Sequence, residues 1–430
     1  MTEFWIATAI LMGTIMLGVP IAFAIGGTTM IYILMTNPQN ITVMPIRMFS
    51  GINSFTLMAL PLFVLAAEIM IRTGISSKLF DFVRIRFGKY RGGLAYVNVV
   101  GSTIFGSLSG AALSDVAGLG NIEIEAMRED GYDSAFACGL TAGSSLQSPL
   151  IPPSNIAILY AGVMSLSVGA LLYAGLIPGL LLGLIQMIYI KINARRWNLP
   201  VDTKVYTKEE KRYFRKNGYI ALVMPIIILV GITGGYVTPT EAAAVAVFYS
   251  LIIGFLVFRN INLKQLADSL WTAAQNTANL FIITSLSAVF AWAISAEKIP
   301  EQIAAFLLSI TDNKYVMLFI INVILIIVGM WMETSAAVLL FAPILSPIAV
   351  AMGVHPIHFA VLMIVNLTLG LITPPVGVVL YAVAAVGKEK FDRVVKASMP
   401  YVIMGFVLLA ILTFFPDLVL AVPRMFGFIE

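Results

Sequence analysis

Charge, cysteine and histidine are all scarce in this 430-residue chain. Lys, Arg, Asp and Glu together make up 11 % of it, against about a quarter in soluble domains. With 60 % apolar residues and a mean hydropathy of +0.96, the chain falls outside the soluble class, and most of it belongs in lipid. Cys138 is the sole cysteine, which excludes an intramolecular disulfide. Together with His355 and His358 it is too little, and too scattered, for a metal-ligand cluster. No glycine-rich loop ending in Lys-Ser or Lys-Thr is present, and no His or Cys base lies near the repeated motifs described below. ATP hydrolysis and intramembrane catalysis are therefore not expected, and the chain does not read as an enzyme.

What is abundant is long apolar sequence, recurring from Phe4–Met35 to Tyr401–Phe415. About twenty helical residues cross one bilayer core, so a many-span integral protein is expected. The first apolar run is preceded by Glu3 and by no basic residue, which does not fit a cleavable signal peptide. Basic residues concentrate in Arg72–Arg91, with six bases and one acid, and in Lys191–Lys216, with nine bases and three acids. Arg259–Asp268 and Lys388–Lys396 add six more bases, whereas Glu297–Lys314 carries three acids and two bases. The positive-inside rule puts the four basic loops in the cytoplasm and the last loop outside. The charge runs themselves read as headgroup anchors rather than nucleic-acid or ligand sites.

The chain also repeats itself. Asn53 answers to Asn276, Ile75 to Ile299, Ala111-Ala112 to Ala336-Ala337 and Pro152-Pro153 to Pro374-Pro375, with Leu159–Ala161 matching Leu380–Ala382 and Pro178 matching Pro400. All offsets lie between 221 and 225. Such constancy indicates a duplicated unit. The basic loop of one copy corresponds to the acidic loop of the other, so the copies are expected to be inverted. Inversion needs an odd number of crossings per copy. Splitting Phe4–Met35 at Gly18–Pro20, as Gly235–Pro239 splits the second copy, gives five per copy. The expected fold is an all-α polytopic membrane protein of two inverted-topology repeats, with about ten crossings and two re-entrant helical hairpins. The first repeat covers 1–190, with outer helices in 4–71, a hairpin over 93–121 and a broken helix over 133–163. A basic cytoplasmic linker covers 191–218. The second repeat covers 219–430, with outer helices in 219–296, a hairpin over 315–352 and a broken helix over 356–387.

The chemistry is expected at the breaks. A helix stopped in mid-membrane leaves carbonyls free at one end and amides at the other, which suit a cation and an anion respectively. Ser102, Ser107, Gly143, Ser144, Ser145 and Ser148 offer uncharged oxygens of the kind that hold sodium. Gly329, Glu333, Thr334, Thr368, Gly370 and Thr373 form the matching set in the second copy. Ser154 and Asn155 lie between the sets, placed to donate hydrogen bonds to a polar substrate. The bland alternative is that such small and hydroxylated residues only pack helices.

Acids inside the membrane are costly and invite a role. Glu333, at the second hairpin tip, is the strongest candidate, as a substrate acceptor or a cation ligand. Asp115 reads either as a cap or anchor of its hairpin's returning arm or as a functional acid, and Glu68 as a partner of Arg72, four residues on. Thr238–Glu241 reads as a capping box with Pro239 at the first helical position. Asn279 and Asn322 read as interhelical hydrogen bonds.

At these residues the chain resembles a known family, the large membrane subunit (M subunit) of tripartite ATP-independent periplasmic (TRAP) transporters. The resemblance spans essentially the full length through Leu60–Phe63, Gly106–Gly110, Ile151–Ser154, Thr238–Ala243 and Thr373–Gly377. It implies an elevator, in which a transport domain carrying both hairpins slides against a scaffold. It further implies sodium-driven uptake, across the bacterial inner membrane, of an organic acid such as a sialic acid, a four-carbon dicarboxylate or a 2-oxo acid. Two partners are implied, a periplasmic substrate-binding protein and a small four-helix membrane subunit, the latter expected as a separate chain. Ser107, Ser109, Ser154, Asn155 and Glu333 would line the substrate site, with at least two sodium sites beside it and no organic cofactor. An acid at 333 favours a polyhydroxylated acid, such as a sialic acid, over a plain dicarboxylate. A passive channel, or a carrier working without a binding protein, is the alternative.

Overall fold

The computed structural model describes residues 2–202, 204, 206–311 and 313–429. Among them every regular element is helical, and the one extended contact is an isolated bridge between Arg91 and Val201. The first half contains α1 (Thr2–Met16), α2 (Ile21–Thr36), α3 (Met44–Ile52), α4 (Ala59–Arg72), α5 (Ile75–Phe87), α6 (Gly93–Ser109), α7 (Ala112–Asp115), α8 (Asn121–Glu129), α9 (Ser134–Ser145), α10 (Asn155–Met164) and α11 (Val168–Asn193). The second half contains α12 (Lys208–Thr233), α13 (Pro239–Ile252), α14 (Leu263–Ala296), α15 (Ile299–Ile310), α16 (Lys314–Trp331), α17 (Thr334–Ala351), α18 (Pro356–Gly370), α19 (Val378–Val386), α20 (Phe391–Phe414) and α21 (Asp417–Met425). Among the described residues, seven helices are long and apolar enough to cross a bilayer, or nine if the bent pairs α4–α5 and α6–α8 each count as one span. Helices α1, α2, α10 and α18 fall short of that length. Between α1 and α2 the cause is local: Gly18 takes φ +81° and Pro20 follows it.

Sequence sets the helix starts directly. Thr207 with Glu210, Thr238 with Glu241, and Asn262 with Gln265 each form a complete capping box at the head of α12, α13 and α14. In each, the cap oxygen takes an amide of the first turn while the third helical residue reaches back. Pro239 occupies the first turn of α13 as expected. The first of these boxes corrects the linker. It was expected over 191–218, but α11 runs on to Asn193 and α12 already begins at Lys208; positions 203 and 205 of that linker lie outside the described residues, as does Asp312 of the acidic loop. The first hairpin is also longer than expected, because its returning arm continues to Glu129.

The linker is pinned by an ion pair. Arg84 on α5 donates to Asp202 through Nε at 2.7 Å and Nη2 at 3.1 Å, and its Nη2 lies 3.4 Å from Asp130 at the end of α8. Its side chain is 9 % exposed and that of Asp202 is 3 % exposed. Burial pushes the Asp202 carboxyl up, but the hydrogen bonds from Arg84 and from the Lys204 amide outweigh it and hold the group below the usual carboxylate range.

The helices sort into two packed groups. In the outer one, α13 lies on α4, α12 on α5, and α14 against α2, α3 and α4. The inner group packs α9 on α20, α16 and α17 on α18, and α6 on α9 and α11. Small residues permit the close approaches, as Gly139 does against Ala397 and Gly143 against Tyr401. The groups meet where α5 touches α6, α14 touches α17 and α10 touches α4.

Candidate functional site

Both helical breaks lie inside the inner group, and each is bonded to a hairpin tip. Between α6 and α7 the chain reverses at Gly110, φ +64°, and the two arms of the hairpin diverge by 118°. A Cβ on Gly110 would lie 2.9 Å from both the Asn155 amide nitrogen and the Pro153 oxygen, so only glycine lets this tip sit on the break between α9 and α10. Asn155 Nδ2 donates to the Ser109 carbonyl at 3.1 Å and closes the contact. In the second half the break between α18 and α19 meets its own tip: Gly377 N donates to the Met330 carbonyl at 3.3 Å, and Gly370 abuts Gly329 backbone to backbone. Both Pro-Pro bonds, Pro152-Pro153 and Pro374-Pro375, are cis.

A cavity of about 360 Å³ opens between the tips and the outer group. Of the expected substrate residues, Ser109, Asn155 and Glu333 line it. Ser107 and Ser154 do not. The Ser107 hydroxyl donates to the Ile104 carbonyl within its own helix. The Ser154 hydroxyl accepts the Ala157 amide as the cap of α10 and donates to the Pro149 carbonyl. Glu333 caps α17 in the same manner, taking the amides of Ser335 at 2.8 Å and Ala336 at 3.3 Å and the Ser335 hydroxyl at 3.1 Å.

The first set of expected sodium residues is partly assembled. Ser102 donates to the Ser144 hydroxyl at 3.0 Å, and Ser144 donates to Asn98 Oδ1 at 2.8 Å. The Ser148 hydroxyl is buried without a partner, and with Ser102 it faces the Asp115 carboxyl. Ser145 turns back to the Ala142 carbonyl, and the Gly143 carbonyl already accepts from Gln186 Nε2 at 2.8 Å. In the second set, the hydroxyls of Thr334 and Thr368 are buried and unpartnered, whereas Thr373 donates to the Leu369 carbonyl at 2.8 Å. Buried hydroxyls with no partner in either set are the feature a small cation would satisfy.

Three expectations about polar residues are corrected. Asp115 caps no helix end: its carboxyl is buried at the end of α7 and faces the hydroxyls of Ser102 and Ser148. Arg72 reaches Asp268 on α14 at 3.9 Å, while Glu68 turns toward the cavity. Asn279 also lines the cavity rather than bridging helices, although Asn322 behaves as expected and accepts from Asn366 Nδ2 at 2.8 Å. Sequence reasoning missed the outer wall of the cavity, formed by Glu68, Asn276 and Asn279. Asn276 and Asn279 share one face of α14 three residues apart, and that spacing was the available signal. It also missed Glu123, wholly buried on α8, whose Oε2 accepts from Asn98 Nδ2 at 2.7 Å.

Comparison with known proteins agrees with this architecture. Residues 8–418 match the model of the family described as tripartite ATP-independent periplasmic transporter, DctM component. The chain is 36 % identical over 415 residues to the sialic acid TRAP transporter large permease protein SiaM of Vibrio cholerae, covering 96 % of this chain and 97 % of that one. It is 38 % identical over 395 residues to the C4-dicarboxylate TRAP transporter large permease protein DctM of Pseudomonas aeruginosa, covering 92 % of each. Among solved structures, the Alcanivorax borkumensis YdaH transporter superposes with a TM-score of 0.66 over 89 % of each chain at 14 % identity, a likeness of fold alone.

Proposed function

The chain belongs to the DctM component family of tripartite ATP-independent periplasmic transporters, and from that premise we propose that it imports an organic acid, a sialic acid or similar carboxylate, by sodium-coupled secondary transport through an elevator mechanism. The protein is a multi-pass membrane permease and not an enzyme. The observation that carries the proposal is the convergence of both hairpin tips and both helix breaks around one cavity, flanked on each side by buried hydroxyls without partners. Discontinuous helices supply such sites because their exposed ends bind ions of either sign.

In the proposed mechanism the inner group is the transport domain and the outer group the scaffold. The succession of helix, hairpin, broken helix and long helix in α5–α11 recurs in α15–α20, which supports reading the halves as inverted repeats. One sodium ion would sit by Ser102, Ser144 and Ser148, and a second by Gly329, Thr334, Thr368 and Gly370. A periplasmic binding protein would deliver the substrate, a small membrane subunit would brace the scaffold, and the assembly would work in the inner membrane.

The test is uptake into liposomes by the purified permease with its two partners. Substrate is expected to accumulate only under an inward sodium gradient. Uptake indifferent to sodium would refute the coupling, and conductance without the binding protein would mark a passive channel.

A further inference from the structure

The cavity is electrically lopsided. Glu333 already occupies the amides at the head of α17, so that helix end cannot receive an anion from a ligand. Across the cavity, α10 starts at a neutral Ser154 cap, with Asn155 and the partnerless, buried hydroxyl of Ser109 at its mouth. The positive end of α10 therefore remains available to an acid group. The outer wall brings a second carboxylate, Glu68, with the amides of Asn276 and Asn279. No Lys, Arg or His lines the cavity. Arg72 lies one turn along α4, 3.9 Å from Asp268 on α14, and its charge is shared with Glu68. Two carboxylates against one cation shared with Asp268 leave this side of the cavity negative.

We propose that the substrate is an organic acid carrying a protonated amine: its acid group faces α10 while its ammonium lies between Glu68 and Glu333. This rests on the transport reading above for the identity of the site, and within the organic acids it turns from a sialic acid, whose nitrogen is an uncharged amide, to an amino acid. A second carboxylate on the ligand would meet like charge, which disfavours plain dicarboxylates. Hydroxyls would bond to the same carboxylates with less gain, because only the ammonium adds charge attraction.

A cysteine placed at exposed Asn276 tests the proposal, since native Cys138 is wholly buried and stays unreactive. The N276C protein is labelled with a cationic trimethylammonium-ethyl and an anionic sulfonatoethyl methanethiosulfonate. The cationic-to-anionic rate ratio should fall about tenfold when Glu68→Gln or Glu333→Gln is added. Labelling should also be slowed by β-alanine, taurine or 2-amino-2-deoxygluconate more than by 3-hydroxypropanoate, isethionate or gluconate, their hydroxyl counterparts. A ratio untouched by both Gln substitutions, or amines that protect no better than their counterparts, would overturn the proposal. Labelling requires no flux, so a failure of sodium-driven uptake is a separate result.

Discussion

Adding one methyl group at Gly370 should disable the second break. An ideal Cβ there falls 2.4 Å from the Gly329 carbonyl carbon and 2.6 Å from its Cα. Ordinary contact begins at 3.4 Å, so α16 and α18 must part by about 1 Å, and the obstacle is backbone with no side chain to swing aside. Overpacking of this kind costs about 1–3 kcal/mol. The displacement falls on the tip and break proposed to hold the second sodium ion, so the sodium concentration for half-maximal uptake should rise by about tenfold, equivalent to about 1.4 kcal/mol of ion binding. Gly13→Ala is the control. It lies within α1 with nothing inside 4 Å of the added Cβ, and alanine there should be neutral or stabilising by up to about 1 kcal/mol. Melting temperature in detergent and sodium titration of uptake read the two effects separately. G370A protein with unaltered melting and unaltered sodium dependence would refute the close-packed break as a functional element.

Arg84→Ala strands Asp202 and should cost about 3–5 kcal/mol, read as a lower melting temperature. Because Asp202 is held below its unfolded value, its contribution is full above about pH 4 and is lost as pH falls through the depressed value. Wild-type melting temperature should therefore drop at acid pH, and by less in the R84A protein; parallel acid profiles would count against the pair. Glu333→Gln keeps an acceptor for the α17 amides but removes the charge facing their dipole, so stability should fall by only about 0.3–1 kcal/mol while substrate affinity changes. Unchanged affinity and sodium dependence would reduce that carboxylate to a cap. Cysteines at exposed Ser77 and Gln302, in the first turns of α5 and α15, should react with impermeant reagent from opposite faces of the membrane; labelling from one face would remove the inverted repeat.

Composition determined the solvent. A chain so poor in charge can satisfy its backbone in lipid only as helices or a closed barrel, and its apolar runs are helix-length. Local chemistry also settled the helix start at Thr238, because a cap needs only neighbours within a turn. The repeated Pro-Pro breaks and the paired small residues located the centre of the molecule for the same reason: their signal is written in consecutive residues. What only the tertiary structure decided is partnership across distance. Arg72 had an acid four residues back and reaches Asp268 on α14; Asp115 looked like a cap and is buried facing Ser102 and Ser148. The lining of the cavity by Glu68, Asn276 and Asn279 was decided there too, since it depends on how α4 and α14 turn toward hairpin tips in other segments of the chain. Spacing along a helix fixes which residues share a face, but packing alone fixes what that face meets.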